Sequence, residues 1–358
     1  MRALLYAVLC AASAVVHAEQ FNAGSDWLVF LSAEVKRPYG IDASRLSDPQ
    51  GEFAAQIVFH HSYGAVRLLV ESELSNDDAG IDRFQVGWQV GEDNTLWLGK
   101  FHQPASAWSF GHDHGHYLET AIIVPSVEEW EDEAGLLPHS AVGALWDSEH
   151  RLGSAASWQF SAAAGLTPLP THGDPHRYWM PLVPEHSGSW SWSARAAYCP
   201  TYLEETNVGV LLGRQALRFT RLTDATLSMY QEGDESVYGV FADWARAPWR
   251  AQSSIYDVNL ILRGGAGQRS EHFIAGFAQI ERLWDHHLTV FARREDFSRI
   301  QSSQYAAAFG DHLTIARSAV GVRWDATRHQ AYILEAARSR TIADRYTEVH
   351  LQWSAVLQ

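Results

Sequence analysis

Val349-His350-Leu351-Gln352-Trp353-Ser354-Ala355-Val356-Leu357 alternates apolar and polar side chains, with Val356 the one exception on the polar side. A period of two places Val349, Leu351, Trp353, Ala355 and Leu357 on one face of an extended chain, so the segment reads as a strand with one apolar face. The same rhythm returns along the chain. It carries Phe53, Ala55, Ile57 and Phe59; Phe84, Val86, Trp88 and Val90; Ala156, Trp158, Phe160 and Ala162; Trp190, Trp192, Ala194, Ala196 and Tyr198; Val320, Val322 and Trp324; and Tyr332, Leu334 and Ala336. Helical periodicity is nearly absent, so the fold class is all-β.

The connections select among β architectures. Short ones, such as Ser62-Tyr63-Gly64, Gly91–Asn94, Ser148–Leu152, Arg246–Trp249 and Asp325–Arg328, alternate with long ones, such as Lys36–Gly51, His102–Ser140, Leu166–Ser189 and Phe297–His312. Short turns on one side and long loops on the other are the signature of a transmembrane antiparallel β-barrel. The segments number about 16, with 14 or 18 as alternatives. The open point is Thr206 to Gln231, where one long strand or two shorter ones can be drawn; a single strand keeps the alternation in phase. Trp27, Trp88, Trp158, Trp190, Trp244, Trp324 and Trp353 fall near the ends of apolar faces, where interfacial girdles are expected.

Composition agrees. The chain of 358 residues carries 15 Trp, 13 Tyr and 15 Phe against 3 Met, with a mean hydropathy of −0.20. Met1 and Arg2, the apolar run Ala3–Val16 and the small-x-small site Val16-His17-Ala18 read as an export signal over residues 1–18, leaving 19–358 as one barrel domain. Of the two cysteines, Cys10 lies in that leader and Cys199 stands alone, so no intrachain disulfide holds the exported chain together. No later stretch supplies the roughly 18 consecutive apolar residues of a membrane-spanning helix. A formal charge of −15 argues against nucleic acid as a partner and mildly favours cationic solutes.

Leu96-Trp97-Leu98-Gly99-Lys100-Phe101-His102-Gln103-Pro104, a strand running into a proline-containing loop, resembles the G-[KR]-F-x-x-P segment of Gram-negative outer-membrane porins, loosely including the porin O/P group. The resemblance implies a general porin in the cell outer membrane, with outer-membrane lipids around it, small polar solutes passing through it and a homotrimer as its assembly. The chain departs from the pattern at Val356-Leu357-Gln358, where such porins end in an aromatic residue. It also lacks the lysine-rich lumen of the phosphate-selective members, so anion selectivity is not implied.

In a barrel the polar members of each strand line the lumen, since charge on the lipid face costs about 2–4 kcal/mol at mid-bilayer. Arg67, Glu71, Arg195, Asp243, Arg323 and Glu335, with His350 and Gln352, are therefore expected inside as pore lining. The third external loop, 102–140, is dense in aromatic and charged residues and long enough to require its own fold. Pro125, Ser126 as N-cap, Glu129 and Gly135 mark one or two helical turns within it. Folded into the lumen, its Glu128, Glu129, Glu131, Asp132 and Glu133 would form a negative constriction opposite the barrel's arginines and give weak cation preference. The sequence contains no G-x-S-x-G, no H-E-x-x-H and no phosphate-binding glycine loop, so no catalytic residues are assigned and no enzyme is expected. Two other classes fit the same features: a secreted or outer-membrane carbohydrate-active β-protein, and a non-conducting barrel serving as scaffold or adhesin.

The reading requires no cofactor. One cluster, His112-Asp113-His114-Gly115-His116, has donors suited to zinc, copper or nickel, and in an extended segment His112, His114 and His116 would project to one side. They are candidate ligands for weak divalent transition-metal binding; ordinary hydrogen bonding in a polar loop is the alternative. If metal binds, zinc titrated at neutral pH will release protons, and the effect will vanish below about pH 6, where imidazole is protonated. Isothermal titration of a His112/His114/His116 triple-alanine variant checks this, and an unchanged signal rules the site out.

Overall fold

Leu351 is 54% exposed while His350 and Gln352 beside it are buried, because the last strand presents one face outward and one into a barrel. The computed structural model describes residues 25–39, 50–76, 79–108, 117–128, 137–138, 140–153, 156–166, 169–171, 174–179, 189–201, 206–218, 230–265, 267–308, 313–342 and 344–357. The strands are β1 (Ser25–Tyr39), β2 (Gln50–Tyr63), β3 (Val66–Ser75), β4 (Ala79–Gln89), β5 (Asn94–His102), β6 (Ser140–Leu152), β7 (Ala156–Leu166), β8 (Leu169–Thr171), β9 (Asp174–Trp179), β10 (Trp190–Thr201), β11 (Thr206–Arg218), β12 (Tyr230–Arg246), β13 (Trp249–Gly264), β14 (Gly267–Leu283), β15 (Leu288–Ser298), β16 (Thr314–Thr327), β17 (Gln330–Thr341) and β18 (Arg345–Leu357).

Sixteen of them form one closed antiparallel barrel, and β8 and β9 make a separate hairpin between β7 and β10. Closure runs through β1 and β18, from Val29↔Leu357 to Tyr39↔Thr347, and leaves no sheet edge to be satisfied by solvent. Among the described residues of the interval after Thr206 there is one strand, β11, before β12 begins at Tyr230, and the closed barrel has 16 strands. The proximal side, where residues 25 and 357 lie, has only short turns, such as Gly64-Ala65, Ala247-Pro248 and Arg328-His329. All the long connections, including 103–139 as the third in order, are distal.

The outer surface is an apolar band with indoles at its proximal margin: Trp27, Trp88, Trp158, Trp244 and Trp324 are each 39–51% exposed. Trp190 marks the distal margin at 71%. These are lipid-facing positions of a membrane-spanning barrel. The export signal read at 1–18 lies outside the described residues.

On β12, β13 and β14, of 17, 16 and 17 residues, the pattern reverses toward the distal end. There Val237, Val258, Leu260, Leu262 and Phe273 are buried inside. Outside, Asp234 pairs with Arg263 at 2.6 Å and Asp257 with His272 at 2.9 Å. A wall that rises beyond the hydrocarbon meets water on its outer face, so its apolar side must turn inward. It packs there against the loops, in a core that includes Trp108, Val127 and Leu137 from residues 103–139 and Ile300, Tyr305, Ala306 and Leu313 from residues 299–313. The second of these loops carries a short helix, Gln304–Ala308. Glu271 on β14 holds it by accepting from the Gln304 and Tyr305 amides at 2.8 and 3.3 Å and from the Ser303 hydroxyl.

The inside–outside assignment can be checked on adjacent strands. Leu334 is 48% exposed at mid-band on β17, and Leu334→Arg is expected to cost about 2–4 kcal/mol, whereas Thr347→Arg at the distal margin of β18 should cost about 0–1 kcal/mol. Urea unfolding in phosphatidylcholine bilayers measures both; equal costs would contradict the assignment.

Candidate functional site

A segment that leaves the ladder inside a barrel must find partners for its backbone amides and carbonyls elsewhere. The loop between β5 and β6 does so on the inner wall. Its departure begins at Gly99, whose φ of +135° is one that L side chains rarely adopt; a Cβ there would lie 2.0 Å from the Phe84 carbonyl oxygen. Phe101 then packs fully buried with Ala141, Leu145 and Ala163. Gln103 is buried and accepts from the hydroxyls of Ser191 and Ser193 at 3.1 and 3.2 Å while donating to the Ser140 carbonyl at 3.4 Å.

Residues 117–128 cross to β13–β17. The amides of Ile122 and Ile123 donate to Glu335 Oε2 at 2.7 and 3.1 Å, and the Ser126 amide donates to Glu295 Oε2 at 2.7 Å. From the same wall Arg317 donates to the Val124 carbonyl at 2.9 Å, Arg293 to that of Ile123, and Arg323 to those of Tyr117 and Glu119. Thr120 donates to Glu281 at 2.9 Å. The Ile122 side chain packs with Phe291 and Ile333, and that of Ile123 with Ala319 and Ala337.

The wall residues are themselves an ion network. Arg293 lies 2.7 Å from Glu295 and 3.8 Å from Glu335, and Arg317 lies 3.8 Å from Glu295, all four nearly inaccessible. Buried charge of this kind is tolerated because each group has an oppositely charged neighbour and also bonds the loop backbone. Outside the strands, burial raises the Tyr117 phenol above its ordinary pKa, with Arg323 opposing; its hydroxyl donates to the Arg328 carbonyl at 2.7 Å.

The expected lining residues all face inward but differ in exposure. Arg195 and Asp243 border a cavity of about 470 Å³, together with Gln159, Asn207, Gln252 and Glu281. Arg323 borders a second of about 560 Å³ with Arg250, Thr289 and Asp325. Leu118 and Thr120 of the loop line both, so the two cavities lie along one side of it. Arg67 bonds Gln89 at 3.1 Å. Glu71 and Glu335 are fully buried, Glu71 by Arg83 and Gln56 and Glu335 by the loop, so both are structural anchors facing no open water.

A helical turn is present where the sequence placed one, but Ser126 is its first helical residue and not its N-cap, and the Glu128 amide donates to the Pro125 carbonyl at 2.8 Å. Glu128 itself departs from the expectation of a constriction charge. Its side chain is buried, accepting from the Tyr256 hydroxyl at 2.7 Å and from Ser106, while that same Tyr256 oxygen accepts from the Ala107 amide at 3.0 Å. A carboxylate so enclosed fixes the loop and meets no solute. Glu129, Glu131, Asp132 and Glu133 lie outside the described residues, as do His112, His114 and His116. Among the described residues no group of three or more His, Cys, Asp or Glu is placed to hold a metal ion.

Arg293, Glu295 and Arg317 escaped the sequence reading. The signal for the first two was present on β15, where Phe291, Arg293, Glu295 and Phe297 share one face: two charges between two aromatics on a face that must be enclosed.

No protein-family model matches the chain, and no curated protein matches it in sequence. Solved structures do. OmpF of Salmonella typhi, in complex with daunomycin, superposes with a TM-score of 0.61 at 11% identity, over 94% of this chain and 99% of that one. An anion-selective porin from Comamonas acidovorans gives 0.60 at 10%, over 93% and 99%. In-vitro folded OmpT, an outer membrane protein of Vibrio cholerae in trimer form, gives 0.58 at 10%, over 94% and 100%. The chain has the fold of Gram-negative outer-membrane porins.

Glu335→Ala removes the acceptor of two loop amides and a partner of Arg293. The loop should open more readily by about 1–3 kcal/mol, read by hydrogen–deuterium exchange as roughly 10- to 100-fold faster exchange at Ile122 and Ile123. Unchanged protection would mean that the wall does not hold the loop.

Proposed function

We propose that this protein is an outer-membrane porin through which small polar solutes diffuse passively, with weak cation preference and with the loop 102–140 as the constriction. The observation that carries the reading is the hydrogen bonding of 117–128 to inward Glu295, Arg293, Arg317, Arg323 and Glu335 inside a closed barrel, which supports a loop folded into the lumen. Location in the outer membrane is supported by the apolar outer band of a closed barrel, with indoles at its margins. Cation preference rests on the chain's net charge of −15 and on Glu129, Glu131, Asp132 and Glu133, whose field acts most strongly where the path is narrowest. Arg195 and Arg323 beside Asp243 and Asp325 add the mixed-charge lining that orders polar solutes. A homotrimer is the assembly proposed, in line with the trimer form of the Vibrio cholerae neighbour.

A second reading, a non-conducting barrel, draws support from the apolar core that residues 299–313 and 103–139 make inside β11–β15. Planar-bilayer recording separates the two. In the porin reading, shortening the loop between Trp108 and Pro138 raises single-channel conductance, and changing Glu129, Glu131, Asp132 and Glu133 to Gln moves the reversal potential in a salt gradient toward zero. The shift should fade in 1 M salt, where the screening length is about 3 Å. An unmoved reversal potential takes the acids out of the permeation path; silence of the shortened-loop protein selects the non-conducting barrel.

A further inference from the structure

Along one arc of the barrel's outer surface the apolar band ends in arginine. Moving distally, the first polar outward position on β15, β16, β17, β18 and β1 is Arg294, Ser318, Arg338, Thr347 and Arg37. Register puts Arg294 opposite Ser318, Ser318 opposite Arg338, and Arg338 opposite Thr347. Two residues further, Arg340 stands directly opposite Arg345. Like charges facing each other across a ladder destabilise it unless something lies between them.

Nothing in the described protein supplies that counter-charge. Arg294 is the exception, with Asp296 at 3.6 Å, both more than 60% exposed. Among the described residues Arg37, Arg338, Arg340 and Arg345 have no carboxylate within ion-pair distance, and Arg340 Nε is buried without a hydrogen-bond partner. Further round the same rim the arrangement differs: Arg214 and Arg263 share Asp234, at 3.5 and 2.6 Å. In a chain of net charge −15 an unneutralised basic arc does not follow from composition. It stands directly above apolar surface formed by Leu334, Leu351 and Val320.

We propose that this arc binds a phosphate-bearing lipid of the outer leaflet, its headgroup phosphates held by Arg338, Arg340 and Arg345 and its acyl chains lying on the band beneath. Guanidinium forks match phosphate oxygens in pairs, and snorkelling carries the heads of rim arginines up to the headgroup level. A ligand with anionic phosphate at one end and hydrocarbon at the other satisfies both halves of the surface, which neither inorganic phosphate nor a neutral lipid does. The inference rests on the membrane-barrel reading above.

The test uses the full-length barrel in phosphatidylcholine nanodiscs, probed by native mass spectrometry with bisphosphorylated lipid A, with the same lipid stripped of phosphate, and with inorganic phosphate. The wild type should retain the phosphorylated lipid about tenfold better than the stripped one, the equivalent of about one charged hydrogen bond. R338Q/R340Q/R345Q should abolish that preference while R214Q/R263Q keeps it. A thousandfold excess of inorganic phosphate should not displace the lipid. Equal retention of both lipids, equal loss in the control variant, or full displacement by phosphate overturns the proposal. So does a change of oligomeric state in the rim variant without lipid, which would assign the arc to a second copy. Should the glutamine variant not fold, R338K/R340K/R345K keeps the charge but loses the fork, and undiminished preference there overturns paired recognition. Heat-modifiable gel migration, expected of every variant, separates this outcome from failure of the barrel itself.

Discussion

The structure depends on one constraint: inside hydrocarbon, each backbone amide and carbonyl needs a partner made of protein. Closing β1 on β18 meets it for the strands. It leaves a second problem for any chain that enters the lumen without joining the ladder, and the inner wall of β14–β17 is the answer to that problem. Glu335 and Glu295 accept loop amides, and Arg293, Arg317 and Arg323 donate to loop carbonyls. The charges buried there are therefore structural before they are anything else. That is why Glu335, one of the residues a simple inside–outside rule would offer to the solute, is fully enclosed.

The same constraint explains the asymmetry of the barrel. Where β12–β14 outgrow the membrane, water satisfies the outer face and the apolar residues gain by turning in, so Val258, Leu260 and Leu262 meet Trp108, Tyr305 and Ile300. That core fills part of the distal lumen, and the cavities bordered by Arg195, Asp243 and Arg323 lie along the free side of the loop. The width left past this core is therefore set by loop packing and hardly by strand number.

A period-two alternation determined the class, because a pleated strand sends successive side chains to opposite faces whatever its neighbours are. Loop asymmetry determined that the strands close into a barrel of about 16, and the position of the indoles in the alternation gave the margins of the apolar band. Even the inward direction of Arg67, Glu71, Arg195, Asp243, Arg323 and Glu335 was legible, since it follows from the parity of each strand. Tertiary structure alone decided what those side chains meet. Glu128 reads as one more acid in an acidic run, yet it is enclosed by Tyr256 and Ser106, partners 128 and 22 residues away in sequence. Arg340 and Arg345 read as ordinary rim charges until register sets them face to face. Periodicity is a local property of the backbone and survives in the sequence; pairing across a closed sheet, and the burial that turns a charge from a lining into an anchor, exist only once the barrel has closed.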